Sequence, residues 1–461
     1  MKRRLNKYGG LLIVLMTGML SCKVREQYTA PSTPSTALFR DVSSASTNNI
    51  ADLHWKEVFT DTLLQQLITT GIANNPDLLT AYSRVRQSQA YLAQSRMAFL
   101  PSLNAGVTAT LNNASDPAIA GNNAAVDRHE LLTGASWEAD IWGKLRSNKR
   151  ASLAALLQSD ANARAVMTGL IANIATYYYQ LLALDKQLYY TRESVRNWQT
   201  TVNVMKELKK SDVVTGAAIV QSEASKYGIA ATIPDLERSV RETENALNQL
   251  LGRAPAAIPR AEIAAEQPLA LLSTGVPAQL LSNRPDVQAA EQQFRYYFEL
   301  VNAARAYFYP SLTLSASAGY LTVDKLWSPG SWISSIVGGL TQPIIAQGAN
   351  KTRLQVAREQ QQQALINFQN VLLTSGREVS NALYAYQASV DKANVRDSQL
   401  VNLDKSVTYT QQLVRYGFAN YTEVLTAQQS MLNAQLSQVN DRLQQLTAVV
   451  QLYKALGGGW K

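Results

Sequence analysis

Cysteine is almost missing from this chain: Cys22 is the only one in 461 residues. A lone thiol cannot staple a fold, so a disulfide framework is excluded. Histidine is nearly as scarce, with His54 and His129 standing in unrelated places. No metal-ligand spacing, glycine-rich phosphate loop or nucleophile elbow occurs, so neither catalysis nor a cofactor is expected. Lysine and arginine form no cluster interleaved with aromatics, and nucleic acid is not an expected partner. A membrane-spanning apolar run is absent from the N-terminus as well. The stretch Gly9–Leu20 has 12 residues, too few to cross a hydrocarbon layer of roughly 30 Å as a helix.

That stretch follows Lys2, Arg3, Arg4 and Lys7, the order of a cleaved export signal over residues 1–21. Losing the signal removes four basic residues and takes the net charge from +9 to +5. Cys22 comes directly after Met19-Leu20-Ser21, a lipobox-like context in which acyl chains attach to the cysteine. Several acyl chains anchor durably in a membrane where one does not. Residues 22–50, rich in Ser, Thr, Pro and Asn, read as an extended tether.

The body of the chain repeats itself. Asn75-Pro76-Asp77 recurs as Arg284-Pro285-Asp286, and Ala98-Phe99-Leu100-Pro101-Ser102-Leu103 recurs as Tyr307-Phe308-Tyr309-Pro310-Ser311-Leu312. Both pairs share an offset of 209 residues, which marks a duplication with halves 51–251 and 277–461 joined by 252–276. In each half a helix is predicted up to the second proline, Ala81–Phe99 and then Val287–Phe308. Proline ends it by lacking an N–H and pushing its predecessor towards extended geometry.

Past each proline the period changes to two. Leu103, Ala105, Val107, Ala109 and Leu111 oppose Ser102, Asn104, Gly106, Thr108 and Thr110. Leu312, Leu314, Ala316, Ala318 and Tyr320 oppose Ser311, Thr313, Ser315, Ser317 and Gly319. This is the length of a tilted transmembrane strand, although a half-buried soluble strand alternates too. Return strands are expected near Glu130–Trp142 and Ser331–Pro343, with Trp137, Trp142, Tyr320, Trp327 and Trp332 as candidates for interface girdles. Glu138 and Asp140 would point two carboxylates to one side of such a strand, as pore lining. Four strands cannot close a barrel, and open edges are not tolerated in lipid, so the chain must oligomerise. Three copies would supply twelve strands.

Two stretches without proline follow the strand pairs, Lys144–Ser211 and Gln347–Tyr416. At about 1.5 Å per residue each could make a helix approaching 100 Å. Apolar residues recur every seven along them, at Leu156, Ala163, Leu170, Tyr177, Leu184, Thr191, Trp198 and Met205. The second column runs Leu365, Leu372, Val379, Tyr386, Ala393, Leu400, Val407 and Val414, again 209 residues on. Heptad columns imply coiled-coil packing, and small residues beside the second column, Ser375, Ala382 and Ser389, permit close approach. Each stretch turns at Ser211–Gly216 or Gly417–Tyr421 and returns as a helix, Ala217–Leu251 or Thr422–Leu456.

These elements resemble the outer-membrane factor family, the TolC-like efflux ducts, in its lipoprotein branch. The motifs are Trp55, Phe59, Asp61 and Leu63, then Asn75-Pro76-Asp77-Leu78, Gln87 and Pro101-Ser102-Leu103, then Trp137-Glu138-Ala139-Asp140-Ile141-Trp142-Gly143. Arg284-Pro285-Asp286, Ala290-Glu291, Gln342-Pro343-Ile344 and Tyr421-Thr422-Glu423-Val424-Leu425-Thr426-Ala427-Gln428 continue it. The resemblance implies a mostly α chain with a transmembrane β part, forming a homotrimeric twelve-stranded barrel continued by a periplasmic α-helical barrel. It implies an equatorial collar, for which 252–276 and the chain ends are the candidates. Its expected partners are outer-membrane lipid, a periplasmic adaptor (membrane fusion) protein and an inner-membrane transporter of the resistance-nodulation-division (RND) type.

In relatives the helical tips narrow to an iris, often ringed by acidic residues on the second hairpin. The gate and adaptor-contact candidates are Asp212, Val214, Thr215 and Gly216 in the first turn, and Arg415, Tyr416, Gly417, Phe418, Ala419, Asn420 and Glu423 in the second. Ala419 stands where many relatives carry Asp, which leaves Phe418 as an apolar constriction and Asp212 and Glu423 as the nearest acids. Arg415 and Tyr416 are candidates for latch contacts between helices. The same residues would equally serve to shape two turns. The expected function is the exit duct of a tripartite efflux system for drugs or other small molecules. Type I protein secretion and metal efflux use the same design. A non-channel helical surface lipoprotein would explain the signal, tether and heptads, but not two equal strand pairs.

Overall fold

The structure, a computed structural model, describes residues 25–31, 49–110, 128–267, 283–322, 329–416, 418 and 420–461. The signal, Cys22, Leu111, residues 268–276, Trp327, Gly417 and Ala419 lie outside these, as does the side chain of Arg415. Helices α1 (Trp55–Val58), α2 (Thr62–Asn74) and α3 (Pro76–Met97) lead to strands β1 (Ser102–Thr110) and β2 (Arg128–Ala139). Helix α4 (Lys144–Lys210) follows, returning through α5 (Gly216–Ala230) and α6 (Ile233–Leu250). The second half runs α7 (Pro285–Ala306), β3 (Ser311–Thr322), β4 (Trp332–Thr341), α8 (Ala349–Arg415) and α9 (Tyr421–Ala455). None of the described helices is long and apolar enough to cross a membrane.

The helices before the strands begin at Pro76 and Pro285, earlier than the periodicity alone suggested. Proline suits the first turn of a helix, where its missing N–H has no partner to lose. The repeat offset also changes along the chain. It is 209 residues for the starts of α3 and α7 (76 and 285), but 205 for the starts of α4 and α8 (144 and 349). The stretch from the first strand to the long helix is four residues shorter in the second half, 102 to 144 against 311 to 349. A further difference is that the return helix expected over Ala217–Leu251 is broken in two at Ala231 and Thr232. Pro234, in the first turn of α6, cannot donate the hydrogen bond that would continue it.

The chain divides into two compact units. The first comprises Met1–Ser32, Arg84–Ser159 and Ala289–Phe368 and carries an antiparallel sheet in the order β1-β2-β3-β4. Register places Val107 opposite Leu131, Leu131 opposite Tyr320, and Tyr320 opposite Trp332. Ala316 likewise sits between Ala135 and Ile336. Directly paired residues share a face, so the apolar sets of all four strands form one mainly apolar surface, interrupted by His129, Thr133 and Ser334. Ser136, Ser315 and Val337 sit side by side on the opposite face, which is otherwise rich in hydroxyls. Leu103, Val107 and Ile336 are about four-fifths exposed in the single chain, at 81, 79 and 79 %.

Aromatics gather at both ends of that surface. The Trp137 indole donates to the Phe99 carbonyl at 2.9 Å, and Trp142 stacks on Tyr309 at 4.7 Å. Six residues along β3 from Leu314, the partner of Trp137, Tyr320 meets Trp332 edge-on at 5.3 Å. Six residues of strand span about 20 Å. Glu138 and Asp140 do not act as a pair. Glu138 takes an ion pair from Lys144 at 2.6 Å, whereas Asp140 has left the strand and accepts from the Leu145 and Arg146 N–H groups at 2.9 and 3.0 Å. A carboxylate there meets the unpaired donors of a helix N-terminus.

The N-terminal residues 25–31 are docked rather than free. Asn302 exchanges two hydrogen bonds with the Glu26 backbone, both 3.1 Å, and Tyr28 packs against Phe294 and Phe298 on α7.

The second unit, Thr33–Ser83, Asp160–Gln288 and Gln369–Lys461, holds the largest core. Leu64 and Ile68 of α2, Ile174, Tyr178 and Leu181 of α4, Val379 of α8 and Leu452 of α9 are all buried in it. No residue of the two heptad columns is exposed, and Ser375, Ala382 and Ser389 are buried as well.

Both return helices end against this core in matching ways. The Asn75 amide donates to the Leu250 carbonyl at 2.9 Å, and the Arg284 guanidinium donates to the Ala455 carbonyl at 2.7 Å. These are the first residues of the N-P-D and R-P-D elements. Beyond each helix, Gly252 and Gly457 turn the chain left-handed, with φ of 65° and 86°. A Cβ at either would overlap a backbone carbonyl, of Asn74 or of Asn283.

The segment after Gly252 is pinned by charge. Arg260 binds Asp185 at 2.9 Å and Glu244 at 2.6 Å, while Tyr178 donates to Asp61 and Arg442 donates to the Glu266 carbonyl oxygen. Burial pushes the Glu266 carboxyl up to about 7, with the neighbouring Asp61 adding to the effect and Arg442 opposing it.

Two outcomes follow. Gly457→Ala should cost about 1–2 kcal/mol for the left-handed backbone, and more for the overlap with Asn283. Gly169→Ala, in open space inside α4, should be neutral or stabilising by up to about 1 kcal/mol. Chemical denaturation of both variants checks this, and equal losses would contradict the close approach. Glu266 holds a proton in the folded chain, between its ordinary 4.5 and about 7, that the unfolded chain releases. Its contribution to stability therefore falls as pH rises through that window. Glu266→Gln should flatten the decline in Tm between about pH 5 and pH 8; an unchanged slope would refute the assignment.

Candidate functional site

The hairpin tips belong to the second unit, and the two turns are built alike. The Val213 N–H bonds to the Leu208 carbonyl at 3.0 Å, and the Phe418 N–H bonds to the Leu413 carbonyl at 2.9 Å. These six-to-one bonds satisfy carbonyls left over at a helix C-terminus, and they stand 205 residues apart (213 and 418). Asp212 adopts a left-handed φ of 52°, unusual for a residue with a side chain. The residue 205 positions on is Gly417.

The starts of the return helices differ. The Asn420 side chain accepts from the Thr422 N–H at 3.2 Å, whereas Thr215 at the start of α5 makes no such cap. Asparagine and threonine both suit the cap position, so only the Asn420 cap is realised.

The two tips pack on one another through a small core. Met205 of α4, Val414 of α8 and Val424 of α9 are buried together, with Leu208, Val214, Ile219 and Tyr421 against them. One turn of sequence back from the tip, Gln428 donates to the Thr201 hydroxyl at 2.9 Å in a buried cross-link between the hairpins. Of the candidates, Val214 is therefore a packing residue, while Asp212, Thr215, Gly216, Tyr416, Phe418, Asn420 and Glu423 are exposed. The aromatic candidates Tyr416 and Phe418 are 74 and 82 % exposed. Arg415 contributes backbone only to the description, and Gly417 and Ala419 fall outside it.

Three carboxylates at the tip are paired with lysines. Lys209 holds Asp212 at 2.8 Å, Lys210 holds Glu207 at 2.9 Å, and Lys206 holds Glu223 at 2.7 Å. The hydrogen bond and charge of Lys206 keep the Glu223 carboxyl below its ordinary value. Asp212 thus has a lysine counter-ion, and exposed aromatics, Tyr416 and Phe418, occur on the second turn beside the exposed polar Asn420 and Glu423. The interlock of Met205, Val414 and Val424 was not among the candidates. Its signal was in plain view, since Met205 and Val414 end the two heptad columns. Nothing in the sequence links Gln428 to Thr201 across 227 residues.

This geometry, an apolar-faced sheet in one unit and paired helical hairpins in the other, is shared with known proteins. The sequence model for outer membrane efflux proteins matches residues 67–253 and 276–458. The toluene efflux pump outer membrane protein TtgF of Pseudomonas putida is 30 % identical, over 98 % of this chain and 96 % of that protein. The cation efflux system protein CusC of Escherichia coli is 26 % identical, over 96 % of this chain and 97 % of its own length. The open-state MtrE outer membrane channel of Neisseria gonorrhoeae superposes with a TM-score of 0.84 at 25 % identity, covering 95 % of this chain and 99 % of that one. Matched over both halves and along nearly its whole length, the chain belongs to the outer membrane efflux protein family, whose members are channels and not enzymes.

Proposed function

We propose that this chain assembles as a homotrimer whose twelve strands close an outer-membrane barrel, forming the exit duct of a tripartite efflux system. The observation that carries it is the sheet: one mainly apolar face runs across four strands whose outer edges, on β1 and β4, have no strand partner among the described residues. In hydrocarbon an unpaired edge is prohibitively costly, and closure with further copies removes it. The two aromatic clusters, about 20 Å apart along the strand, suit a lipid band of about 25 Å flanked by interfacial belts.

Residues 51–251 and 277–461 are read as duplicated halves with 252–276 as an equatorial linker. The paired glycine turns at Gly252 and Gly457 support that reading. Export with acylation at Cys22 would add a lipid anchor. Docking of residues 25–31 on α7 would then hold the chain just beyond that anchor.

The exposed tip residues Tyr416 and Phe418 are the proposed contacts for a periplasmic adaptor, with an inner-membrane RND pump behind it. In the resting state Met205, Val414 and Val424 hold the tips together. Adaptor binding would shift the population towards a splayed packing, a change between two discrete arrangements. Relatives named for toluene and for cations share the duct design, so cargo choice is assigned to the inner-membrane partner.

Three measurements test this. On unboiled gels the purified protein should migrate as a detergent-resistant trimer and collapse to monomer on heating; a monomer under both conditions would end the barrel reading. In planar bilayers Phe418→Gly and Arg415→Glu should each raise single-channel conductance. Unchanged conductance with intact trimers would remove these residues from the gate. Deletion of the gene should sensitise cells to the pump's cargo, and a screen across drugs, bile salts, metals and secreted proteins separates small-molecule export from metal export and type I secretion.

A further inference from the structure

Above the tip core, α4, α8 and α9 leave a cleft of about 440 Å³ between them. That volume falls within the range of small-molecule sites, about 300–1,000 Å³. Asn197, Gln411 and Gln435 supply amides to its lining and Ser194 and Thr200 hydroxyls, beside two further kinds of side chain. Met205, Val407, Val414 and Leu432 supply an apolar wall. Glu193 and Asp404 supply carboxylates, and neither has an ion-pair partner among the described residues.

A third feature points to a ligand. Trp198 lines the cleft and is 1 % exposed, yet its indole N–H has no hydrogen-bond acceptor. A buried donor left unpaired is costly, and native structures seldom tolerate it without a partner such as a water or a ligand. The other polar groups nearby do not explain it. Gln428 and Thr201, also on the lining, satisfy one another at 2.9 Å. Along the cleft the carboxylates of Glu193 and Asp404 lie furthest from the tip, the buried and unpaired Trp198 N–H comes next, and Met205 and Val414 stand at the tip end.

We propose that this cleft binds an amphipathic organic cation. The apolar body lies against Met205, Val414 and Leu432, an acceptor atom takes the Trp198 N–H, and the cationic head faces Glu193 and Asp404. Because Met205 belongs to the first hairpin and Val414 to the second, an occupant bridges both and favours the packing in which the tips are held together. The cleft does not include the proposed adaptor contacts Tyr416 and Phe418; its effect on the tips rests on the proposed gating, whereas binding itself does not.

Dibucaine, a fluorescent tertiary amine with an amide carbonyl, is a suitable probe, and 8-anilinonaphthalene-1-sulfonate is an aromatic anion for comparison. Equilibrium dialysis on the full-length protein in detergent should show saturable uptake of one dibucaine per chain, and weaker uptake of the anion. Trp198→Phe keeps the ring and removes the donor, and should weaken binding about fivefold. Glu193→Gln with Asp404→Asn should weaken it about tenfold or more. Asp404 is exposed and Glu193 half-buried, so this variant remains informative if the tryptophan variant fails to fold. Absence of saturable uptake, equal uptake of the anion, or affinity unchanged in both folded variants would overturn the site. Conductance in bilayers is read on the same preparation: dibucaine binding without any channel activity would count against the duct and leave the site standing.

Discussion

An α-helix that ends inside a packed core leaves carbonyl groups without donors, and both return helices of this chain end that way. Two side chains resolve the problem, Asn75 for Leu250 and Arg284 for Ala455. Each comes from the short element just before the next helix, so one contact both caps a hairpin and fixes where the helix leading to the sheet begins. The two solutions differ chemically. An amide is neutral and needs little else, whereas a guanidinium 7 % exposed must be balanced. Asp286 at 2.6 Å and Glu378 at 2.8 Å do so, because an unpaired buried charge would cost several kcal/mol. The second half therefore carries an ion network that the first does without.

The sheet and the tips follow from the same duplication. In the sheet, two alternating strand pairs align their apolar residues into one face. Large aliphatics left exposed to water there forgo roughly 1.5–3 kcal/mol each. A membrane resolves that exposure, and membership of the outer membrane efflux proteins fits it. At the tips, the second of two matching turns presents Tyr416 and Phe418 outward, while valine and methionine from both hairpins pack inward. The contrast suits a joint that stays closed by packing while offering a surface to a partner. Lysines beside Asp212 and Glu207 blunt the acidity that such tips often carry.

Much of this was legible residue by residue. Prolines at 101 and 310 marked the helix-to-strand change, and the alternation of Leu103, Ala105, Val107 and Ala109 gave the face that register then confirmed. The heptad columns were right in that none of their residues is exposed. Other features were illegible for identifiable reasons. One return helix was expected over Ala217–Leu251, yet the missing N–H of Pro234 splits it in two. Asp140 was read with the strand period, although its oxygens serve the helix that follows. A single offset of 209 was carried too far, since the shorter second strand-to-helix stretch lies between the anchoring motifs and the hairpins.

By itself the sequence determined the local order of this protein: two strand pairs, each preceded by a helix and followed by a very long one. Those depend on periodicity, proline and composition, which act over a few residues. Tertiary structure alone decided which distant groups meet. That Gln428 bonds Thr201, that Gly457 lies against Asn283, and that the Trp198 indole is buried beside a cleft without an acceptor are consequences of how helices pack side by side. Such contacts join residues hundreds of positions apart, where one side chain's chemistry is compatible with many partners and only the packed geometry selects among them.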